Sequence, residues 1–248
     1  MTKVMVITGS SQGIGAATAL KAAAVGYDIC VNYLSNEQAA FEVVDKIQKM
    51  GRSALAVRAD VSDENDVVRL FAEVDKSLGK VDALVNNAGV LDQMMPVEKM
   101  SATRINRILT TNITSYFLCA REAIRRMSIA NGGQGGAIVN VSSAAARLGS
   151  AHEYVDYAAS KGAIDTMTIG LAKEVVANGI RVNAVRPGVI DTNIHEQSGD
   201  SNRVSKLKSQ VPMQRGGTAE EVADAILWLL SDQASYSTGS FIDVTGGR

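Results

Sequence analysis

Short apolar runs bounded by turn residues recur along the chain, at Val4–Ile7, Ile29–Val31, Ala54–Val57, Ala83–Val85, Ala137–Val141, Val182–Val185 and Phe241–Val244. Runs of this length and composition suit strands buried on both faces. Between them the apolar spacing changes to that of helices, as in Phe41-Val43-Val44-Ile47, Val67-Val68-Leu70-Phe71-Val74 and Val222-Ala225-Ile226-Leu229. Asp63 and Thr218 stand where N-caps belong, and a long helix is expected over Arg107–Met127. Strict alternation of strand and helix predicts right-handed βαβ crossovers. The expected fold class is α/β: one Rossmann-like, doubly wound parallel sheet of about seven strands with helices on both faces, binding its ligand beyond the carboxyl ends of the strands.

No composition break divides the 248 residues, so residues 1–248 are expected to form a single domain that binds a dinucleotide and carries the catalytic site. The polar stretch from Asp191 to Val211 has no strand pattern and reads as a substrate lid. With 25 basic and 26 acidic residues the net charge is -1, giving no electrostatic reason to expect nucleic acid or an anionic membrane as partner. A small molecule is the expected partner. The apolar start at Val4–Ile7 is too short for a signal peptide, and Ala225–Leu230 falls far below the roughly 20 residues that cross a bilayer, so the cytoplasm is the expected compartment. Cys30 and Cys119 are too few for a disulfide framework and lack metal-ligand spacing, so buried thiols and no metal are expected.

Two local patterns carry chemistry. The first strand runs into Thr8-Gly9-Ser10-Ser11-Gln12-Gly13-Ile14-Gly15 and then an alanine-rich helix. Gly9 permits a tight turn, Gly13 lets the backbone approach a pyrophosphate, Gly15 permits close helix packing, and the helix N-terminus offers oriented amides. Gly9, Ser11, Gln12, Gly13, Ile14 and Gly15 are thus candidate cofactor contacts. The second pattern is Tyr157-Ala158-Ala159-Ser160-Lys161, which puts a phenol and an ammonium on one helix face. A nearby cation favours phenolate, turning tyrosine into an acid–base group; alone, the pair equally fits two surface residues.

Taken with Asn86-Asn87-Ala88-Gly89, these motifs resemble the short-chain dehydrogenase/reductases, and the match spans the chain. It continues through Asp60-Val61, Asn112, Ser142-Ser143, Pro187-Gly188 and the closing strand. The nearest resemblance is to the bacterial branch containing 3-oxoacyl-carrier-protein reductases and glucose 1-dehydrogenases, which implies a nicotinamide dinucleotide and a homotetramer built through helix Arg107–Met127 and the chain end Phe241–Arg248. The resemblance implies that Asp60 bonds the adenine amino group, Val61 lines the adenine pocket, and Asn87, Ala88 and Gly89 back the ribose. Pro187, Gly188, Ile190 and Thr192 would hold the nicotinamide end. Tyr157 would be the general acid/base, Ser143 the donor to the substrate oxygen, and Lys161 the cation that also bonds the ribose. The main-chain carbonyl of Asn112 would hold a water leading to solvent.

The family commonly places its serine thirteen residues before the tyrosine, which here is Ala144; Ser143 lies fourteen before. Alanine cannot donate, and the strand-end motif aligns on Ser143, so an extra residue within Ala144–Asp156 is inferred and Ser142 is expected to point the other way. The tip of the second strand, Val31-Asn32-Tyr33-Leu34-Ser35-Asn36, carries no carboxylate to select NAD, while Asn32, Ser35 and Asn36 offer hydrogen bonds to a 2′-phosphate. The arginine that many NADP-preferring relatives carry at or near this tip, or before the second glycine, is missing: Leu34 and Gln12 stand there. NADP(H) is favoured and NAD(H) is possible. The expected function is interconversion of a carbonyl and a secondary alcohol. The alternative is a catalytically idle nucleotide-binding protein on the same fold. Arg121, Arg125 and Arg126 are candidate docking residues for a carrier-linked substrate, and His152 with Arg147 and Glu153 would edge the entrance.

Overall fold

The structure, a computed structural model, describes residues 2–192 and 203–248. Seven strands, β1 (Lys3–Ile7), β2 (Tyr27–Tyr33), β3 (Ala54–Arg58), β4 (Val81–Asn86), β5 (Gly136–Val141), β6 (Ile180–Pro187) and β7 (Phe241–Val244), form one sheet. Every pairing is parallel and the order is β3-β2-β1-β4-β5-β6-β7. The order reverses between β1 and β4, so the crevice of the doubly wound fold opens between the glycine turn after β1 and Asn87–Gly89 after β4.

Alternation along β1 shows how the sheet is covered: Val4 and Val6 face one apolar layer, Met5 and Ile7 the other. The first layer is built by α3 (Glu64–Ser77), α5 (Ser115–Met127) and α7 (Val155–Val175), with Phe71, Tyr116, Met127 and Ile164 at its centre. The second is built by α1 (Gly13–Ala24), α2 (Glu37–Lys49) and α9 (Ala219–Leu230), centred on Ile29, Ile47 and Ile226. Each large side chain sealed this way contributes about 2 kcal/mol relative to exposure. The expected caps are in place. Asp63 accepts from the amides of Asn65 and Asp66 at 2.9 and 3.1 Å, and Thr218 with Glu221 makes a capping box, worth about 1 kcal/mol per cap.

The helix expected over Arg107–Met127 is instead three pieces: α4 (Ala102–Leu109), a π-helical turn at Thr110–Thr114, and α5. One wide turn re-aims the backbone around Asn112, a distortion that periodicity cannot reveal. Two short helices, α6 (Ala145–Leu148) and α8 (Arg203–Leu207), complete the set, and residues 193–202 of the expected lid, His195 among them, lie outside the described residues.

Candidate active site

The glycine turn is held by side chains from three strands. Gly9 and Gly13 have φ of +60° and +56°, values that glycine adopts without strain. A Cβ on Gly15 would sit 2.6 Å from the Gly9 carbonyl oxygen, so that position admits no side chain. Asn87 Nδ2 donates to the carbonyls of Thr8 and Gly9, both at 2.9 Å, and Thr8 Oγ1 accepts the amides of Asn87 and Ala88. Helix α1 starts at Gly13 with Gln12 extended at its N-cap, no capping side chain and no acidic residue in its first turn. Its amides are thus left for an anion, and a Cβ on Gly13 would meet nothing nearer than Thr192 Cγ2 at 3.6 Å. A pyrophosphate fits this cradle, with Ser11, Gln12 and Ile14 along its rim and Thr192 opposite.

Asn32 has another task than the phosphate contact expected of it. It is buried, its Oδ1 accepts the Gly9 amide at 3.0 Å, and its Nδ2 donates to the carbonyls of Val57 and Ala59 at 3.3 and 3.1 Å. Its polar atoms are spent on fixing the turn to β3. Ser35 and Asn36 are exposed, and Asn36 caps α2 by accepting the Ala39 amide at 3.2 Å. Beyond the end of β3, Val61 is buried in the core, and Asp60 Oδ1 accepts from the amide and hydroxyl of Ser62 at 2.9 and 2.6 Å. Pro187 ends β6, Gly188 packs on Thr245, and Ile190 bridges to Gly217.

Tyr157, Ser143, Lys161 and Asn112 converge where β5, the π turn and α7 meet. The Ser143 side chain lies beside Tyr157, where it opposes the upward push on the phenol, and its Oγ accepts the Ala145 amide at 3.1 Å. Ser142 points away and donates to Asp165 Oδ1 at 2.6 Å, and Ala144 is buried. Lys161 Nζ donates to the Val141 carbonyl at 2.7 Å and to Tyr116 Oη at 3.2 Å, and lies 5.7 Å from the Tyr157 ring centroid. A Cβ on Gly89 would stand in ordinary contact with that nitrogen at 3.6 Å, so the loop after β4 passes directly over the lysine. Asn112 accepts the Val90 amide at 2.8 Å and donates to Ser160 Oγ at 3.2 Å, tying that loop to α7. Burial dominates the charges here. It pulls the Lys161 ammonium down to about 7, opposed by Asp165, and pushes the Tyr157 phenol up, opposed by the neighbouring Ser143. The downward pull of ammonium on phenol expected from the Tyr157–Lys161 spacing is outweighed because both groups share one dry pocket.

Residues 9–248 match a family model described as Enoyl-(Acyl carrier protein) reductase. An uncharacterized oxidoreductase, YgfF of Escherichia coli, is 59% identical over 245 residues, covering 99% of each chain. The chain belongs to the short-chain dehydrogenase/reductase family. Within this family, a 3beta-hydroxysteroid dehydrogenase 1 of Eggerthella lenta is 40% identical, covering 99% of this chain and 93% of that protein. Among solved structures, a short-chain dehydrogenase/reductase mutant of Serratia marcescens superposes with a TM-score of 0.91 at 31% identity, over 99% of this chain and 97% of that one. The acetoin dehydrogenase YohF of Salmonella typhimurium gives 0.87 at 34%, over 100% and 97%. The protein is therefore an oxidoreductase acting on CH–OH or carbonyl groups of small molecules with a nicotinamide dinucleotide, as short-chain dehydrogenase/reductases do. Among the described residues no helix is long and apolar enough to cross a membrane.

The dehydrogenase/reductase fold also brings together residues that sequence reading missed. Arg58, at the end of β3, pairs in register with Tyr33, and its Nε donates to the Leu34 carbonyl at 3.2 Å. The cation absent from the β2 tip in sequence thus arrives from the neighbouring strand. Arg104 of α4 pairs with Asp156, and Tyr116 of α5 reaches Lys161. Their only sequence signal was a charge or hydroxyl on a helix face otherwise read as core or solvent. Tyr154 is the buried N-cap of α7, one turn short of the acid position. His152 is exposed with φ of +63°, and Arg147 pairs with Asp243 at 3.2 Å.

Proposed function

We propose that the protein is an NADP(H)-favouring oxidoreductase that interconverts a carbonyl and a secondary alcohol, with Tyr157 as general acid/base. A bound nicotinamide dinucleotide supplies or accepts the hydride. Gly13, the start of α1 and Thr192 hold its pyrophosphate, while Asp60, Val61 and Asn87–Gly89 surround the adenosine. In reduction, Tyr157 gives its proton to the carbonyl oxygen as charge develops there, and Ser143 donates a second hydrogen bond to the same oxygen. Lys161 holds its charge beneath the phenol and meets the nicotinamide ribose, and the Asn112 carbonyl holds the water that returns the proton from solvent. The observation carrying this reading is the convergence on one buried phenol, that of Tyr157, of Ser143 beside it and of the buried Lys161 nitrogen 5.7 Å from its ring.

Preference for NADP(H) rests on Arg58. With Nε anchored on Leu34, its two terminal nitrogens make no hydrogen bond or ion pair with the described residues, and their fork suits a ribose 2′-phosphate. Asp66, the acid that feels the Arg58 charge, is paired with Arg69 at 2.9 Å, and Glu37 is held by the Tyr33 hydroxyl at 2.8 Å. A free small molecule suits the site better than a carrier-linked one, because the three candidate docking arginines are already paired. Arg121 engages Glu64, Arg126 engages Asp75, and all three meet the buried Glu122. Half-exposed Phe117 on α5 supports assembly into a homotetramer, in the cytoplasm. The test is oxidation of NADPH and NADH in parallel against hydroxyketones, oxosteroids and oxoacyl thioesters. Faster turnover with NADPH on a free ketone is expected, and a firm preference for NADH overturns the cofactor assignment.

A further inference from the structure

Tyr116 is the largest side chain sealed completely inside the protein, and it ends in a hydroxyl beside a catalytic lysine. Its Oη donates to the Val141 carbonyl at 2.9 Å. A phenol has a single proton to give, so toward Lys161 Nζ, 3.2 Å away, the same oxygen can only accept. Lys161 also donates to the Val141 carbonyl at 2.7 Å. Two acceptors therefore lie under one amine, and the third proton of its ammonium form is left to face the site. The other groups around the nitrogen are Tyr157 and Asp165 of α7 and the Asn112 amide, while Tyr116 itself faces Tyr157 and Cys119.

We propose that Tyr116 is a positioning residue for Lys161, its hydroxyl fixing the amine on the end of β5 and favouring its ammonium form. The proposal rests on the role given to Lys161 above. Charge-assisted hydrogen bonds are the stronger ones, so an acceptor held rigidly by a backbone carbonyl favours the protonated amine in a pocket whose dryness opposes it.

The test reads Lys161 directly. Protein is labelled with lysine carrying an isotopic label at Cε, the Lys161 resonance is assigned by its loss in Lys161→Met, and its shift is followed against pH. The parent midpoint is expected near 7, and in Tyr116→Phe it should fall by about half to one pH unit. Tyr116→Met, which lacks the hydroxyl and also the ring 5.1 Å from the amine, should lower the midpoint at least as far. The pH profile of carbonyl reduction should move with it. A folded Tyr116→Phe protein with the parent midpoint overturns the proposal, and so does lowered thermal stability without a displaced midpoint. Failure of the parent to reduce any carbonyl would instead sink the catalytic reading, while the resonance would still judge Tyr116.

Discussion

Arg104 Nε donates to Asp156 Oδ2 at 2.8 Å, and both side chains are buried, so α4 grips the residue immediately before Tyr157. Asp156 Oδ1 in turn accepts the Tyr157 amide at 2.9 Å, and Arg104 Nη1 reaches the main-chain carbonyl of Gln93. One guanidinium thereby joins the loop after β4 to the start of α7. Removing either partner strands a buried charge, a loss of about 3–5 kcal/mol. Asp156→Ala and Arg104→Met should each lower denaturant stability by that order, and an apolar double replacement should recover a large part. Additive losses in the double variant would show that the pair does not act as a unit.

Ser143 and Ser142 should separate cleanly. Ser143→Ala removes the hydroxyl beside Tyr157 and should lower kcat by about 100-fold with the fold intact. Ser142→Ala removes the bonds from its hydroxyl to Asp165 Oδ1 and to the Lys161 carbonyl, at 2.6 and 3.2 Å, while Asp165 keeps its pairing with Arg186 at 2.9 Å. It should cost about 1 kcal/mol of stability and leave kcat within a few-fold. Steady-state kinetics beside thermal unfolding decide the matter, and a fully active Ser143→Ala enzyme would refute the assignment.

Arg58 should discriminate between cofactors without touching the chemistry. Arg58→Glu places a carboxylate at the β2 tip and should weaken NADPH binding by at least about tenfold while leaving NADH binding nearly unchanged. Fluorescence titration of each reduced cofactor measures this without turnover. Equal weakening of both would mean that Arg58 supports the strand end rather than a phosphate.

Burial of Lys161 sets a pH dependence of known sign. Its folded pKa is about 7 against 10.5 for the exposed group, so between these values the unfolded chain binds the proton and the native one does not. Stability therefore rises with pH across that window and is lowest below it. Lys161→Met abolishes this contribution, so its stability advantage over the parent should be largest at and below pH 7 and shrink toward pH 10.5. Chemical unfolding at three pH values within this range suffices, and a constant gap would argue against a buried ammonium.

The sequence by itself determined the strand count, the alternation and the glycine turn, because each is written in apolar periods or turn chemistry within a few neighbouring residues, while Ser143, Tyr157 and Lys161 were singled out by resemblance to the family. Even the choice of Ser143 over Ala144 followed from aligning one strand end. What only tertiary structure decided is how polar atoms are shared between segments far apart in the chain. Asn32 was read as a ligand contact, yet its amide is consumed by Gly9 and by two carbonyls of the β3 segment. Arg58 had no visible connection to the β2 tip until the parallel register set it opposite Tyr33. The three arginines of α5 looked available for a partner, but Glu122 lies buried among them. Tyr116 is core, but its hydroxyl has one partner on β5 and another on α7. Hydrophobic periodicity selects which face of an element is buried. It does not specify which donors and acceptors that burial will force together, because a hydrogen bond depends on ångström-scale register between elements that only the assembled sheet supplies.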